Sequence, residues 1–136
     1  ALEIGPSPFD AVVANMVFMD IPDYEAAIRN CIRSLKSAGS LVFSLTHPCF
    51  EESAALWRER RYVAVREYLR EYAVAQSFAT RFHRPLSTYL NLVIREGCTI
   101  RAIVEPRLGP EWARRGPEYE RNVHVPNFIV VHASKE

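Results

Sequence analysis

The run AVVANMVFM, inside the stretch FDAVVANMVFMDIPD from Phe9 to Asp23, places the tightest constraint on this chain. It is too uniformly apolar for an antiparallel strand with one wet face, where apolar and polar residues alternate. Strands covered on both faces, as in parallel α/β sheets, have this composition. Phe9 to Met19 is therefore predicted to be a buried strand, ended by the Ile21-Pro22-Asp23 turn. Such a strand needs neighbours.

The next residues supply one. In DYEAAIRNCIRSLKSAG, Tyr24, Ala27, Ile28, Cys31 and Leu35 recur on one face of an amphipathic helix. Asp23 is its predicted N-cap, Lys36 falls in its last turn and Gly39 is its stop. Ser40 to Thr46 follows as a second short strand, completing a βαβ unit with a right-handed crossover. Past His47-Pro48, Ser53 to about Phe78 reads as helix in one or two pieces, with Leu56, Tyr62, Val65, Leu69 and Tyr72 on one side. TRFHRP reads as a loop, and STYLNLVIREG as a helix with Ser87 as N-cap and Gly97 as stop. Cys98 to Glu105 and Asn127 to Ala133 read as strands, separated by a loop from Pro106 to Pro126. With no helix between them, these two strands are expected to pair antiparallel. The predicted fold class is α/β: a mostly parallel four-stranded sheet with an antiparallel edge and helices on its faces.

Bulk properties exclude several classes. At 136 residues the chain is at most one ordinary domain. A net charge of +1 selects no partner, and the arginines between Trp57 and Tyr72 are interleaved with glutamates, the pattern of a solvated face. Neither nucleic acid nor membrane is an expected partner. Three cysteines without a CxxC spacing suggest neither a disulfide framework nor a zinc site, so the expected location is cytoplasmic. No metal is predicted. The chain opens on Ala, its leader ALEIGPSP reads as a loop, and it is expected to begin inside a larger protein.

Three segments carry a family resemblance: FDAVVANMVFMDIPDYEAAIRNCIRSLKSAGSLVFSLTHP, then HRPLSTYLNLVIREGCTIRAIVEP, then VPNFIVVHASK. They resemble the C-terminal half of a class I, Rossmann-like S-adenosylmethionine-dependent methyltransferase. The more specific signal is D-A-V-x-A-N-M-V followed downstream by H-R-P-L-S-x-Y. The resemblance implies that residues 1–136 are the C-terminal part of a single methyltransferase domain, with 51–79 as a helical, cap-like insert. It implies S-adenosylmethionine as cofactor and a small-molecule methyl acceptor bearing an O, N or C nucleophile. The family fold also has a Gly-rich turn after its first strand and an acidic residue ending its second. Neither is present: no two of Gly5, Gly39, Gly97, Gly109 and Gly116 stand in a G-x-G. The chain thus holds only part of a cofactor site.

In open α/β sheets, ligands lie beyond the carboxyl ends of the strands. By resemblance, Asn15, Met16 and Val17 flank the methionine part of the cofactor; read from the residues alone, they are core and strand-end positions. His47 follows the second strand and is the candidate catalytic group, able to deprotonate or orient a nucleophile. Substrate-binding candidates are His47, Phe50, His83 and Arg84, although Arg84 and Pro85 also suit a loop that docks the following helix. Cys49 beside His47 suggests a Cys/His nucleophile, but no third orienting group is evident. Trp57, Tyr62, Tyr68, Tyr72 and Phe78 line a substrate cap or pack the insert, and His124 and His132 have no evident partner. An opening strand with one flank bare predicts a homo-oligomer formed through that sheet edge. Two other readings stay open: a non-catalytic interaction module and an unrelated α/β nucleotide-binding domain.

Overall fold

The computed structural model describes residues 9–50, 54–77 and 79–136. The leader ALEIGPSP, residues 51–53 with the predicted helix start at Ser53, and Phe78 lie outside them. Among the described residues there are two sheets: four strands in the order β1-β2-β6-β5, and a separate hairpin, β3-β4.

The first strand, β1 (Phe9–Asn15), is shorter than its apolar run. Met16 adopts φ 56°, and this left-handed residue turns the chain out of the sheet. Phe18–Asp20 then forms a 3-10 turn with Phe18 and Met19 buried. Apolar character beyond Asn15 therefore serves the core without extending the strand. Asp23 caps α1 (Tyr24–Arg33) as predicted, accepting from the Ala26 N–H at 3.1 Å.

The end of α1 differs from expectation. Ser34 donates its N–H to the Asn30 carbonyl at 3.1 Å and its hydroxyl to Cys31 O at 2.8 Å, which closes the helix before Lys36. β2 (Leu35–Thr46) starts there, and the register steps from Phe9↔Leu35 to Ala11↔Ser40. The irregularity carries Ala38 at φ 60°. Gly39 is no helix stop; a Cβ on it would meet the Lys36 carbonyl oxygen at 2.9 Å, so close backbone approach is what requires glycine there.

The insert departs most. Among the described residues α2 runs over Ala54–Arg60 and ends there, and Arg61 and Glu67 both take positive φ. β3 (Tyr72–Ala75) and β4 (Thr80–His83) pair antiparallel where the sequence suggested helix and loop. α3 (Leu86–Arg95) is capped by Pro85 with Ser87 already inside its first turn, and Gly97 at φ 80° ends it as expected. After β5 (Cys98–Val104), the segment read as a loop holds a 3-10 helix at Pro110–Arg115 and α4 (Pro117–His124). Both have proline at the start, where its missing N–H and fixed φ suit a helix.

β1 and β2 run parallel, β6 (Phe128–Lys135) pairs antiparallel with both β2 and β5, and β5 therefore shares the direction of β1 and β2. The antiparallel strand is thus inserted between β2 and β5; it is not the edge. α1 and α3 cover one face of this sheet, with Tyr24 and Tyr89 meeting edge to face at 5.3 Å. Beneath them lie Leu41, Phe43, Leu45, Ile129, Val131 and Ala133. Each large apolar side chain buried here contributes roughly 1.5–3 kcal/mol.

Candidate functional site

The carboxyl ends of β1, β2 and β5 and the start of β6 meet at one edge of the sheet. Asn15 ends β1 opposite Ser44. The Ser44 hydroxyl donates to Asn15 Oδ1 at 2.6 Å and accepts from the Met16 N–H at 3.0 Å. This pair fixes the strand end just where Met16 turns left-handed, and the turn leaves Val17 exposed. Asn15, Met16 and Val17 therefore form a ledge anchored from below by β2.

His47 follows β2 and is buried. Its N–H donates to the Asn127 carbonyl at 3.0 Å, which ties it to the start of β6. On the ring, Nδ1 accepts from the Cys49 N–H at 3.2 Å, and Nε2 lies 2.9 Å from Glu105 Oε1. An N–H donated to Nδ1 assigns the ring proton to Nε2, which then donates to the carboxylate. Both nitrogens are engaged, so this imidazole offers no vacant lone pair to a substrate proton. The ring lies 4.6 Å from Phe50, whose N–H closes the turn by donating to the His47 carbonyl at 3.0 Å. Sequence reasoning missed Glu105. It stands just past β5, and its place at this edge followed only once β5 was known to run with β1 and β2.

His83 and Arg84 are buried neighbours in sequence and do different things. His83 Nε2 is 3.0 Å from the Tyr68 carbonyl, and its ring stacks on Tyr72 at 4.7 Å. Pro48, Cys49, Ala64, Val65, Tyr72 and His83 line a shallow depression beside the β2 turn. Burial pushes the Tyr68 phenol up; the Leu86 N–H that it accepts at 2.9 Å opposes the shift, and the Cys49 thiol beside it adds to it. The depression thus joins the insert to the end of β2.

Arg84 points away from it. Its Nη1 donates to Phe18 O and the Tyr89 hydroxyl, both at 3.3 Å, and its Nη2 to Ile21 O and Pro22 O, both at 3.1 Å. The guanidinium also lies over Tyr24 at 4.2 Å. It holds the Phe18–Pro22 segment against α3, the docking role that its loop position suggested.

Arg121, on α4, escaped sequence reasoning because its segment read as a loop. It donates through Nη1 to Asn122 and Asn127 and through Nη2 to the Phe50 carbonyl. Burial pushes its ionisation down. On the same helix, His124 stacks on Trp57 of α2 at 5.5 Å, while His132 on β6 meets Ser40 at 3.1 Å. Among the described residues no group of three metal-ligating side chains occurs, and no helix is long and apolar enough to cross a membrane.

A family model described as "Methyltransferase domain" matches residues 1–43, which include β1, α1 and most of β2. A Haemophilus influenzae protein called uncharacterized is 26% identical over 147 residues, covering 98% of this chain and 56% of the relative. The crystal structure of an S-adenosylmethionine dependent methyltransferase from Mesorhizobium loti superposes with a TM-score of 0.80 at 24% identity, covering 96% of this chain and 64% of that one. The 1,6-didemethyltoxoflavin-N1-methyltransferase of Burkholderia thailandensis, solved with bound 1,6-didemethyltoxoflavin and S-adenosylhomocysteine, gives a TM-score of 0.56 at 15% identity, covering 96% of this chain and 45% of its own. The chain thus spans less than two thirds of each of these relatives. At such identities the structural likenesses establish the fold.

Proposed function

This chain has the fold of the class I, Rossmann-like S-adenosylmethionine-dependent methyltransferases, and we propose that it is the C-terminal part of such an enzyme, transferring a methyl group to an O, N or C centre of a small molecule. One observation carries this reading: the Asn15–Val17 ledge, the His47–Phe50 turn and Glu105 converge at the carboxyl edge of three strands that run the same way. In open α/β sheets that edge is where ligands bind.

The residues present fit one flank of the cofactor. Asn15 is held by Ser44, and Met16 at φ 56° turns Val17 outward, a rigid shelf at the strand end. The adenosine flank calls for a Gly-rich turn and a ribose-binding carboxylate, which this sequence does not contain. When bound, S-adenosylmethionine supplies a methyl group on a sulfonium whose departure needs no acid. The work left to these side chains is placement and exclusion of water.

Within that division His47 is a positioning residue. It fixes the Cys49–Phe50 turn through Nδ1 and Glu105 through Nε2. The acceptor sits in the depression lined by Cys49, Tyr72 and His83, with Phe50 at its rim and residues 54–77 as its cap. Arg84 supports the Phe18–Pro22 segment behind the ledge and makes no acceptor contact. The bare flank of β1 pairs with a second copy of the chain, giving a homo-oligomer. Three free cysteines suit a reducing cytoplasm.

The test is calorimetric titration with S-adenosylhomocysteine, on this chain and on a polypeptide extended by the sequence encoded upstream of Ala1. The extended protein is expected to bind at micromolar concentration and this chain at least about a hundredfold more weakly, a difference of about 2.7 kcal/mol. No binding by the extended protein would overturn the reading.

A further inference from the structure

Arg84 and Arg121 are each about 95% buried, at 5% and 6% residual exposure. Arg84 has four oxygen acceptors and two aromatic faces. Arg121 has the Asn122 and Asn127 side chains and the Phe50 carbonyl, and its Nε–H is left without a partner. None of these three partners is charged, and among the described residues no carboxylate forms an ion pair with Arg121. A cation removed from water without a counter-charge is costly, and it persists where an opposite charge joins it.

A second orphan lies on the facing helix. Trp57 of α2 is 8% exposed and its indole Nε1–H also has no acceptor. Its ring stacks on His124, one turn along α4 from Arg121. Buried donors are nearly always satisfied, so two orphans on one pair of packed helices call for a common explanation. The Nε–H side of a guanidinium is also the edge that carboxylates and phosphates take bidentately.

We propose that the seam between α2 and α4 is an anion subsite in which Arg121 and Trp57 hold a carboxylate or phosphate carried by the methyl acceptor. Arg121 is fastened to Phe50 O and to Asn127, and the Asn127 carbonyl accepts the His47 N–H, so the anion is held directly behind the turn that ends β2. Entry requires α2 to part from α4 across the Trp57–His124 stack and the exposed Arg61–Glu120 ion pair. That the anion belongs to a methyl acceptor rests on the function proposed above; that an anion binds does not.

The experiment follows the indole and Arg Nε–H signals by 15N–1H correlation NMR on this chain. Inorganic phosphate and sodium acetate are the probes, titrated separately at constant ionic strength against sodium chloride. Trp57 and Trp112 are the two tryptophans, so the second indole is an internal control. Expected are saturable shifts of the Trp57 and Arg121 signals with phosphate, acetate or both, and none for Trp112. Response to phosphate alone assigns a phosphorylated acceptor, and response to acetate alone a carboxylate. Arg121→Gln is expected to weaken the anion at least tenfold or so, as loss of a charge-assisted bidentate pair does. Trp57→Phe keeps the ring and removes the donor, is expected to weaken the anion about threefold, and decides the matter if the arginine variant does not fold. Shifts that fail to saturate, that appear equally with chloride, or that survive both substitutions would overturn the subsite. Cofactor binding is measured separately: an extended protein that binds S-adenosylhomocysteine beside a silent seam rejects the subsite alone, and the reverse pattern rejects the methyltransferase reading alone.

Discussion

The two faces of the four-stranded sheet are built from the same strands and have opposite surroundings. Toward α1 and α3, Leu41, Phe43, Ile129 and Val131 are at most 1% exposed. On the other face, Val13 is 70% exposed, Val104 53% and Phe128 41%. Among the described residues β1 also has no strand on its other side. A sequence pattern of two-sided burial thus coexists with one-sided cover. The amino acids of a strand record the surroundings for which it is suited, and among the described residues β1 is covered on one face and paired on one side.

The sharpest way to break the comparison is to hollow out the covered face. Phe43 packs edge to face on Phe18 at 5.6 Å and is fully buried. Phe43→Ala is expected to cost about 3–5 kcal/mol, the range for a large aromatic removed from a core. Urea unfolding of both proteins reads this as a shift in midpoint; a loss under about 1 kcal/mol would mean that the covered face is not the stabilising one.

That asymmetry also governs what was legible in the sequence. A short apolar run gave away β2, one-sided apolar spacing gave away α1, and Asp23 and Gly97 fixed a helix start and a helix stop through local chemistry. Local chemistry is also where legibility failed. Nothing in the residue type Met16 announces φ 56°, so β1 was read four residues too long. The hairpin Tyr72–Ala75 with Thr80–His83 is too short to show a period, and it borrows its order from His83, Tyr72 and Tyr68 packing together. Pro110 and Pro117 were read as loop formers, although proline also starts helices, and Arg121 was lost with α4. His47 was legible as a residue at the carboxyl edge. Its partner Glu105 was not, because that pairing depends on β6 being inserted between β2 and β5.

On the bare side, a polar substitution should do the reverse of Phe43→Ala. Val13→Lys puts a charge on an open edge strand, one of the devices by which sheets avoid pairing with copies of themselves. Its effect on unfolding of the isolated chain is expected to stay within about 0.5 kcal/mol. Light scattering at micromolar concentration should instead show the homo-oligomer giving way to monomer. A protein that is monomeric before the substitution would remove the proposed edge pairing and leave the bare flank without an occupant.

The smallest effect expected is electrostatic, at the amino end of the same edge. Lys36 Nζ lies 2.8 Å from Asp10 Oδ1 and joins the irregular start of β2 to β1. The Lys36 hydrogen bond, and then its charge, hold the Asp10 carboxyl below its ordinary value of 3.8. A carboxyl with a depressed folded-state pKa stabilises the fold above its unfolded pKa and loses that contribution as pH falls through the folded one. Both side chains are well exposed, so water and salt screen the pair. Lys36→Met should therefore lower Tm slightly at pH 7, and the difference from the parent should vanish near pH 2 and in 1 M sodium chloride. The Phe43→Ala deficit should persist under both conditions, since it comes from packing. If the Lys36→Met deficit also survives acid and salt, the Asp10–Lys36 charge pair is not its source.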